Sequence, residues 1–223
     1  MKPPRPFAVL FDLDGTLIDS IGLLLKCVRH IFEGRTPAPT DEEWIATLGT
    51  PLRKQLAAYV DSDDEIEAIV SKYRTFQREH HDALTLAYPG VKETLLELER
   101  RGHPMGVVTS KSNEMMDRGL AWLGALEMMQ TRIGMNSCEI HKPDPFPVRL
   151  ALKELGYEPR EALFVGDSPY DILSGNAAGV VSVAAMWGPF TREQLEPAKP
   201  AEYLDRIEDL PRLLDRLEGR TGG

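Results

Sequence analysis

The sequence contains little cysteine, with only Cys27 and Cys138 among its 223 residues. The two lie in unrelated surroundings and without a paired spacing, which excludes a disulfide framework or a multi-cysteine metal site and predicts reduced thiols. No run of 18 or more apolar residues occurs, and the proline-rich segment from Met1 to Phe7 lacks the apolar core of a signal peptide. We therefore expect a cytoplasmic protein with no membrane as partner.

Basic residues are also in the minority. Lysine and arginine total 26 against 35 aspartate and glutamate residues, which gives a formal net charge of -9. Nucleic acids and anionic membranes attract basic surface, so we expect neither as a partner. A hydrophobic fraction of 42% and a charged fraction of 27% instead fit a soluble globular protein.

The sequence does contain a regular alternation of short apolar runs and amphipathic stretches. The runs that predict buried parallel strands are Ala8 to Phe11, Met105 to Val108, Ala162 to Val165 and Val180 to Ala184. The helical patterns between them are Val91 to Arg101, Asn113 to Leu123, Pro145 to Leu155 and Ser168 to Ala178, with Gly102, Gly124, Gly156 and Gly179 as stops. This alternation predicts an α/β fold with a doubly wound, Rossmann-like parallel sheet.

The segment over residues 19–86 breaks the alternation, because it shows charged, amphipathic helical patterns and no convincing strand. We interpret it as an inserted α-helical cap domain, with residues 1–18 and 87–223 forming the core domain. Tyr88-Pro89-Gly90 marks the return to the core, and Leu210 to Leu217 predicts a terminal helix that packs on it.

Two carboxylates, Asp12 and Asp14, follow the first apolar run directly and precede a Gly-Thr turn. Residues two apart on an extended segment project to the same side, so both can face one reacting centre. Two carboxylates so near to each other repel unless a cation or a proton neutralises them. Mg²⁺ prefers oxygen ligands of this kind. The alternative is an ordinary turn pair after a buried strand.

Hydroxyl and ammonium groups follow at two later positions. Thr109 and Ser110 stand at the end of the second apolar run, where ligands of open α/β sheets gather, so they are candidates for binding phosphate oxygens. Lys142 precedes Pro143 and could offset charge on a transferring phosphoryl group. Taken alone, Thr109 is better explained as a turn residue before a helix, and Lys142 as a surface lysine, so both depend on the other motifs.

A second acidic pair, Asp167 and Asp171, follows the run that ends at Val165. Ser168, Pro169 and Asp171 also suit the start of a helix, with Asp171 as a capping acid. Asp167 has no such explanation at a strand end, so we interpret it as a metal ligand. Asp171 is a candidate for both roles.

The order and separation of these four motifs resemble those of the haloacid dehalogenase superfamily of phosphotransferases. The motifs are Asp-Leu-Asp-Gly-Thr at 12 to 16, Val-Thr-Ser-Lys at 108 to 111, Lys-Pro-Asp-Pro at 142 to 145 and Gly-Asp-Ser-Pro-Tyr-Asp at 166 to 171. Within the superfamily the chain is most similar to the phosphoglycolate phosphatase and pyrophosphatase branch. That branch usually carries Thr-Asn after the second strand, whereas this chain has Thr109-Ser110, which bears on the shape of the substrate pocket.

The resemblance implies a Mg²⁺-dependent phosphatase that hydrolyses a small phosphorylated metabolite, either a phosphoglycolate-like monoester or pyrophosphate. Asp12 would be the nucleophile that forms an aspartyl-phosphate, and Asp14 the general acid and base. Asp12, Asp167 and the backbone carbonyl of Asp14 would hold the metal, with support from Asp171. Thr109, Ser110 and Lys142 would bind the substrate.

The segment from Leu48 to Arg53 resembles the cap loop that reaches over the substrate in this family. Thr50 and Arg53 are therefore candidates for contacting the leaving group. Arg53 suits a carboxylate or a second phosphate because its planar fork binds bidentately, although a solvated helix residue is the equal alternative.

Two other functions remain open at this point. A sugar-phosphate mutase shares the phosphotransfer core. It differs in whether the cap excludes water and lets the substrate reorient. A non-catalytic domain that binds a phosphorylated ligand would be expected to have lost a catalytic position, and none is lost here. A haloacid dehalogenase is disfavoured, because its reaction needs neither a metal nor a proton donor, and Asp14 and the acidic fourth motif would then have no role. The oligomeric state, monomer or homodimer, is not indicated by the sequence.

Overall fold

A computed structural model describes residues 5–219 of the chain, so both ends of the predicted core domain fall partly outside the described residues. The strands are β1 (Ala8–Phe11), β2 (Ile18–Asp19), β3 (Leu86–Ala87), β4 (Met105–Val108), β5 (Met129–Ile133), β6 (Ala162–Gly166), β7 (Val181–Ala185) and β8 (Glu202–Leu204). The α-helices are α1 (Ile21–Ile31), α2 (Asp41–Ile45), α3 (Leu52–Leu56), α4 (Asp63–Leu84), α5 (Val91–Arg100), α6 (Asn113–Leu123), α7 (Phe146–Leu155), α8 (Pro169–Ala178), α9 (Arg192–Leu195) and α10 (Leu210–Leu217).

Six strands form one sheet in the order β5-β4-β1-β6-β7-β8, and every pairing in it is parallel. β1 lies between β4 and β6, with Val9 opposite Met105 on one side and Leu163 on the other. All four residues of β1 and of β4 are buried, as expected for strands with both faces covered. The predicted doubly wound α/β core is confirmed.

The edge strands β5 and β8 escaped the sequence analysis. In β5, buried Met129, Thr131 and Ile133 alternate with exposed Gln130 and Arg132, so no continuous apolar run marks the strand. β8 has three residues, too few to show a pattern. Both lie at the edges of the sheet, where one side is open and polar side chains are tolerated.

The predicted core helices occur within one residue of their expected bounds, and α10 matches Leu210 to Leu217. Gly124, Gly156 and Gly179 cap the ends of α6, α7 and α8. Gly102 instead lies one residue beyond the cap of α5, which is Arg101. Between residues 5 and 219, no helix has the length and apolar character needed to cross a membrane.

Helices α1 to α4 occupy the segment predicted to form a cap. It leaves and re-enters the core through a two-stranded antiparallel ribbon, in which Ile18 pairs with Ala87 and Asp19 with Leu86. Buried side chains from all four helices pack together; examples are Leu23, Trp44, Leu56 and Ile69. This ribbon and this cluster support our proposal of a cap over residues 19–86.

Candidate active site

The candidate site lies at the carboxyl edge of the three central strands. Asp12 follows β1, Thr109 follows β4 and Asp167 follows β6, and these strands are neighbours in the sheet. The carboxyl ends of parallel strands meet at one edge, so residues distant in sequence converge there. Lys142 joins them from the loop before α7.

A buried ion triad forms the centre of the site. Lys142 Nζ donates hydrogen bonds to Asp12 Oδ1 at 2.9 Å, to Asp171 Oδ1 at 2.6 Å and to the carbonyl of Val108 at 3.2 Å. Burial raises the pKa of Asp12 to about 7, although Lys142 opposes the shift. Burial would lower the pKa of Lys142, but the two carboxylates raise it above its ordinary value. The lysine is therefore a fixed positive charge beside Asp12.

Asp12, Asp167 and Asp171 form a cluster of buried carboxylates. Each offers one oxygen, and these oxygens lie within 4.8 Å of one another. The pKa of Asp167 is raised well above its ordinary value, first by burial and then by the charges of Asp171 and Asp12. Lys142 alone does not balance three carboxylates. An all-oxygen cluster with uncompensated negative charge fits a hard divalent cation such as Mg²⁺.

Within this cluster, Asp171 is more fully engaged by protein than the other two. Its Oδ1 accepts from Lys142, and its Oδ2 accepts from the backbone N–H of Ser168 at 3.0 Å and from its hydroxyl at 2.6 Å. The latter contacts form the capping box of α8. Asp171 is thus a helix cap and one of the three clustered carboxylates, and its role as a metal ligand stays a prediction.

Glycines leave the space that Asp167 fills. A Cβ added at Gly15 would lie 2.5 Å from Asp167 Oδ2, and one added at Gly188 would lie 2.3 Å from Asp167 Cβ. Gly15 also has a φ of +84°, which favours glycine. Thr16 Oγ1 then donates to Asp167 Oδ1 at 2.8 Å. The Gly-Thr turn after Asp14 therefore positions the carboxylate that follows β6.

Asp14 stands apart from the three-carboxylate cluster and has its own partners. Lys111 Nζ donates to Asp14 Oδ1 at 2.5 Å, and the hydroxyl of Ser20 donates to the same oxygen. The sequence analysis assigned no role to Lys111. A signal was present, because Lys111 follows Thr109 and Ser110 at the end of one strand, and Asp14 follows the end of a neighbouring strand. A half-buried carboxylate there needs a positive partner.

The predicted substrate-binding hydroxyls line a cavity between the core and the cap, of about 90 Å³. Thr109 is buried there, and its Oγ1 accepts from the N–H of Lys111 at 3.3 Å. Ser110 Oγ donates to the carbonyl of Gly49 at 2.6 Å, so this hydroxyl holds the cap loop against the core. Thr50 also lines the cavity, and its hydroxyl donates to the carbonyl of Thr47.

Arg53 does not line this cavity, which corrects the expectation that it contacts the leaving group. Its side chain is 49% exposed, and its guanidinium pairs with Asp63 at 3.2 Å and with Glu67. Both carboxylates belong to α4. The acidic residues at the beginning of α4 therefore hold the Arg53 side chain at the surface of the cap.

Helix α4 instead supplies Tyr73, Arg74 and Gln77 to the cavity wall. The sequence analysis did not single out these residues. A signal existed in the buried stripe of α4, which runs through Ile69 and Tyr73 and then continues with the polar side chain of Gln77. A polar residue on an otherwise apolar helix face indicates a buried partner or a ligand.

Comparisons with known proteins show the family to which this chain belongs. The family described as haloacid dehalogenase-like hydrolase matches residues 9–185. The pyrophosphatase PpaX of Bacillus velezensis is 34% identical over 211 residues, which cover 94% of this chain and 97% of that protein. A solved structure of a HAD-superfamily hydrolase, subfamily IA, variant 1, from Geobacter sulfurreducens is 29% identical, with a TM-score of 0.69 and coverage of 94% and 96%.

A second solved structure has the same fold at lower identity. The structure described as a predicted phosphoglycolate phosphatase from Haemophilus somnus is 24% identical and has a TM-score of 0.84. The match covers 94% of this chain and 98% of that one.

Proposed function

Because this chain belongs to the haloacid dehalogenase-like hydrolases and is a phosphatase of that family, we propose that it removes a phosphoryl group from a small phosphorylated metabolite with Mg²⁺ as cofactor. The substrate class we propose is a short phosphomonoester such as phosphoglycolate, or pyrophosphate. The observation that carries the proposal is the contact of Lys142 with Asp12 at 2.9 Å beside the three-carboxylate cluster.

Asp12 is the proposed nucleophile. Lys142 engages its Oδ1, which leaves Oδ2 without a lysine partner and available to attack phosphorus. The attack forms an oxygen–phosphorus bond to Asp12 and breaks the bond to the leaving oxygen. The aspartate must be ionised to attack, and burial disfavours its ionised form. Lys142 counters part of that cost, and Thr109 and Lys142 are proposed to bind the phosphoryl oxygens.

Asp14 is the proposed general acid and base. It would donate a proton to the leaving oxygen in the first step. It would then accept a proton from the water that attacks the phosphorus of aspartyl-phosphate, which releases inorganic phosphate and restores Asp12. Lys111 and Ser20 both engage Oδ1, so Oδ2 of Asp14 is the oxygen available for these transfers.

Asp12 and Asp167 are the proposed direct ligands of the metal, together with the backbone carbonyl of Asp14. Asp171 supports them through Lys142 and Ser168. When bound, Mg²⁺ would neutralise carboxylate charge and stabilise the negative charge of the transferring phosphoryl group.

The proposed substrate size rests on two supports. The cavity of about 90 Å³ is small beside the roughly 300–1,000 Å³ of pockets that enclose drug-sized ligands. The similarity to a pyrophosphatase PpaX covers nearly the whole of both chains. We also propose a cytoplasmic location, supported by two cysteines that are free thiols in the structure.

The experiment that tests the proposed function is phosphate release from pyrophosphate, phosphoglycolate, sugar phosphates and nucleotides, with Mg²⁺ or with chelator. We expect Mg²⁺-dependent release from the two short substrates and little from the nucleotides. The Asp12→Asn protein serves as the blank. Release that chelator leaves unchanged would contradict the metal requirement, and silence of the folded protein across the panel would contradict the phosphatase proposal.

A further inference from the structure

Helix α4 presents to the cavity a cation that no group within the described residues neutralises. Arg74 is half-buried and lines the cavity together with Asp12, Asp14 and Lys111. Its guanidinium has neither an ion-pair nor a hydrogen-bond partner within residues 5–219. The next arginine on the same helix, Arg78, lies outside the cavity and pairs with Glu114. An arginine held at a cavity wall without an anion is suited to receive one from a ligand.

Gln77 lies one helical turn after Arg74, so the two side chains share a face of α4. Gln77 is only 6% exposed, and its amide makes no hydrogen bond in the described part of the chain. The Gln77 amide atoms are not sealed from solvent but open to the cavity, so the amide is free to donate a hydrogen bond to a ligand there. Gln55 differs, although it lines the same cavity, because its amide donates to the carbonyls of Thr47 and Thr50.

The charges around the cavity explain why a free guanidinium is needed there. Four carboxylates surround the reacting centre, and both ammonium groups are engaged with them: Lys142 with Asp12 and Asp171, and Lys111 with Asp14. A divalent cation would balance the remaining two negative charges. A substrate that carries a second anionic group adds charge that neither lysine is free to neutralise.

We propose that Arg74 and Gln77 form a cap subsite that binds the second anionic group, phosphate or carboxylate, of a short substrate. The proposal rests on the phosphatase function proposed above. Arg74 would bind two oxygens of that group through its planar fork, and the Gln77 amide would donate a further hydrogen bond. The bond that breaks still lies at the phosphoryl group near Asp12, so the subsite binds the part of the substrate that leaves.

The closed cap limits the distance between the two anionic groups. Ser110 fastens the cap loop to the core through Gly49, and the cavity between them measures about 90 Å³. A phosphoryl group at Asp12 and an anion at Arg74 would share this small cavity, which favours two groups joined through a shared oxygen or a short carbon linker. Pyrophosphate and phosphoglycolate meet this condition and are small. Nucleoside di- and triphosphates also carry linked phosphates, but their nucleoside is bulky for this cavity.

A binding measurement tests the subsite without turnover. Calorimetry with Mg²⁺ compares methylenediphosphonate, which carries two linked phosphonates, with methylphosphonate, which carries one. We expect the wild-type protein to bind the diphosphonate at least about 30-fold more tightly, the scale of hydrogen bonds to a charged group. Arg74→Met should remove most of that preference, and Arg78→Met on the same helix should retain it. A wild-type protein with no preference would overturn the subsite.

Kinetics then separate the subsite from the phosphatase function. We expect Arg74→Met and Gln77→Met to lower kcat/KM for pyrophosphate and phosphoglycolate through KM. Acetyl phosphate, which lacks a second anionic group, should change by less than about threefold. Loss on pyrophosphate alone would assign the subsite to phosphate, and loss on phosphoglycolate alone to carboxylate. Equal losses on all three substrates would overturn the subsite and leave the phosphatase proposal standing. An inactive wild-type protein would contradict the phosphatase proposal, and the binding measurement would then decide on the subsite.

Discussion

Lys111 Nζ lies 2.5 Å from Asp14 Oδ1, and the side chains of the pair are 4% and 18% exposed. The contact joins the strand end after β4 to the turn after β1. Because Ser20 donates to the same oxygen, Oδ1 of Asp14 has two partners, and Oδ2 has none within residues 5–219. Lys111 is therefore a positioning residue for the proposed acid and base.

Lys111→Met should lower kcat for pyrophosphate or phosphoglycolate by about 10- to 100-fold, a part of the roughly 100- to 10,000-fold that general acid–base catalysis contributes. KM should change little, because the lysine acts through Asp14 and not on the substrate. Steady-state kinetics with both substrates measure the effects on kcat and on KM separately. Ser20→Ala, which removes the other partner of the same oxygen, should have the same type of effect. A rise in KM with unchanged kcat would contradict the positioning role.

The three-carboxylate cluster makes stability depend on pH and on metal. Burial raises the pKa of Asp12 from 3.8 to about 7 and that of Asp167 in the same direction. The folded protein then holds these protons more tightly than the unfolded chain does. Without metal, the free energy of unfolding should therefore fall as the pH rises from about 4 through about 7, where Asp12 ionises, and the ionisation of Asp167 adds to the loss.

A bound cation reverses this loss because it favours the ionised carboxylates. We expect Mg²⁺ to raise Tm more at pH 8 than at pH 5, and each 1 kcal/mol gained corresponds to roughly 2–4 °C in a chain of this size. Thermal unfolding with Mg²⁺ and with chelator measures the difference. Asp167→Asn is the matched control and should respond less to Mg²⁺. Equal increases at both pH values would contradict the account of the cluster.

The contact between Ser110 and Gly49 predicts how the cap loop can be loosened. Ser110→Ala removes one hydrogen bond, so we expect KM to rise by up to about tenfold while Tm changes little. Gly49→Ala should be more damaging. Gly49 has a φ of +94°, and an added Cβ would lie 2.5 Å from Ser168 Oγ. If both variants matched the wild-type protein in KM, the loop would have no part in binding.

Arg53→Ala should leave the substrate preference unchanged, in contrast to Arg74→Met. Arg53 is exposed and paired with Asp63 and Glu67, and exposed ion pairs contribute about 0–1 kcal/mol to stability. We expect kcat/KM within about twofold of the wild-type value for pyrophosphate, phosphoglycolate and acetyl phosphate. A loss of kcat/KM that is selective for pyrophosphate and phosphoglycolate, the two substrates with a second anionic group, would show that Arg53 contacts the substrate.

The sequence predicted the central strands because they are buried on both faces. Ala8–Phe11 and Met105–Val108 show as unbroken apolar runs, and the acidic and hydroxyl residues after them are visible as motifs. β5 was missed because Gln130 and Arg132 interrupt its apolar residues. A strand at a sheet edge does not need the continuous pattern that defines a central one.

Long-range pairings were harder to predict than the motifs themselves. Lys111 and Asp14 are 97 positions apart, and nothing local to either residue indicates the partner. Arg53 was a candidate because it ends the segment that resembles the cap loop, with a solvated helix residue as the equal alternative. Helix α4 supplies both its partners, and Arg74 of the same helix lines the cavity. The orientation of a side chain on a cap helix depends on how the helices pack, and the sequence pattern does not contain that information.

The proposal that Asp12 is the nucleophile has the most direct test in the covalent intermediate. The Mg²⁺-loaded protein is mixed with pyrophosphate, or with phosphoglycolate if that is the better substrate, quenched in acid within milliseconds and digested for peptide mass analysis. We predict a phosphoryl group on the peptide that contains Asp12, absent from Asp12→Asn and more abundant in Asp14→Asn, where hydrolysis of the intermediate is slowed. Phosphate release at the normal rate with no phosphorylated peptide, or with the phosphoryl group on another residue, would contradict the mechanism.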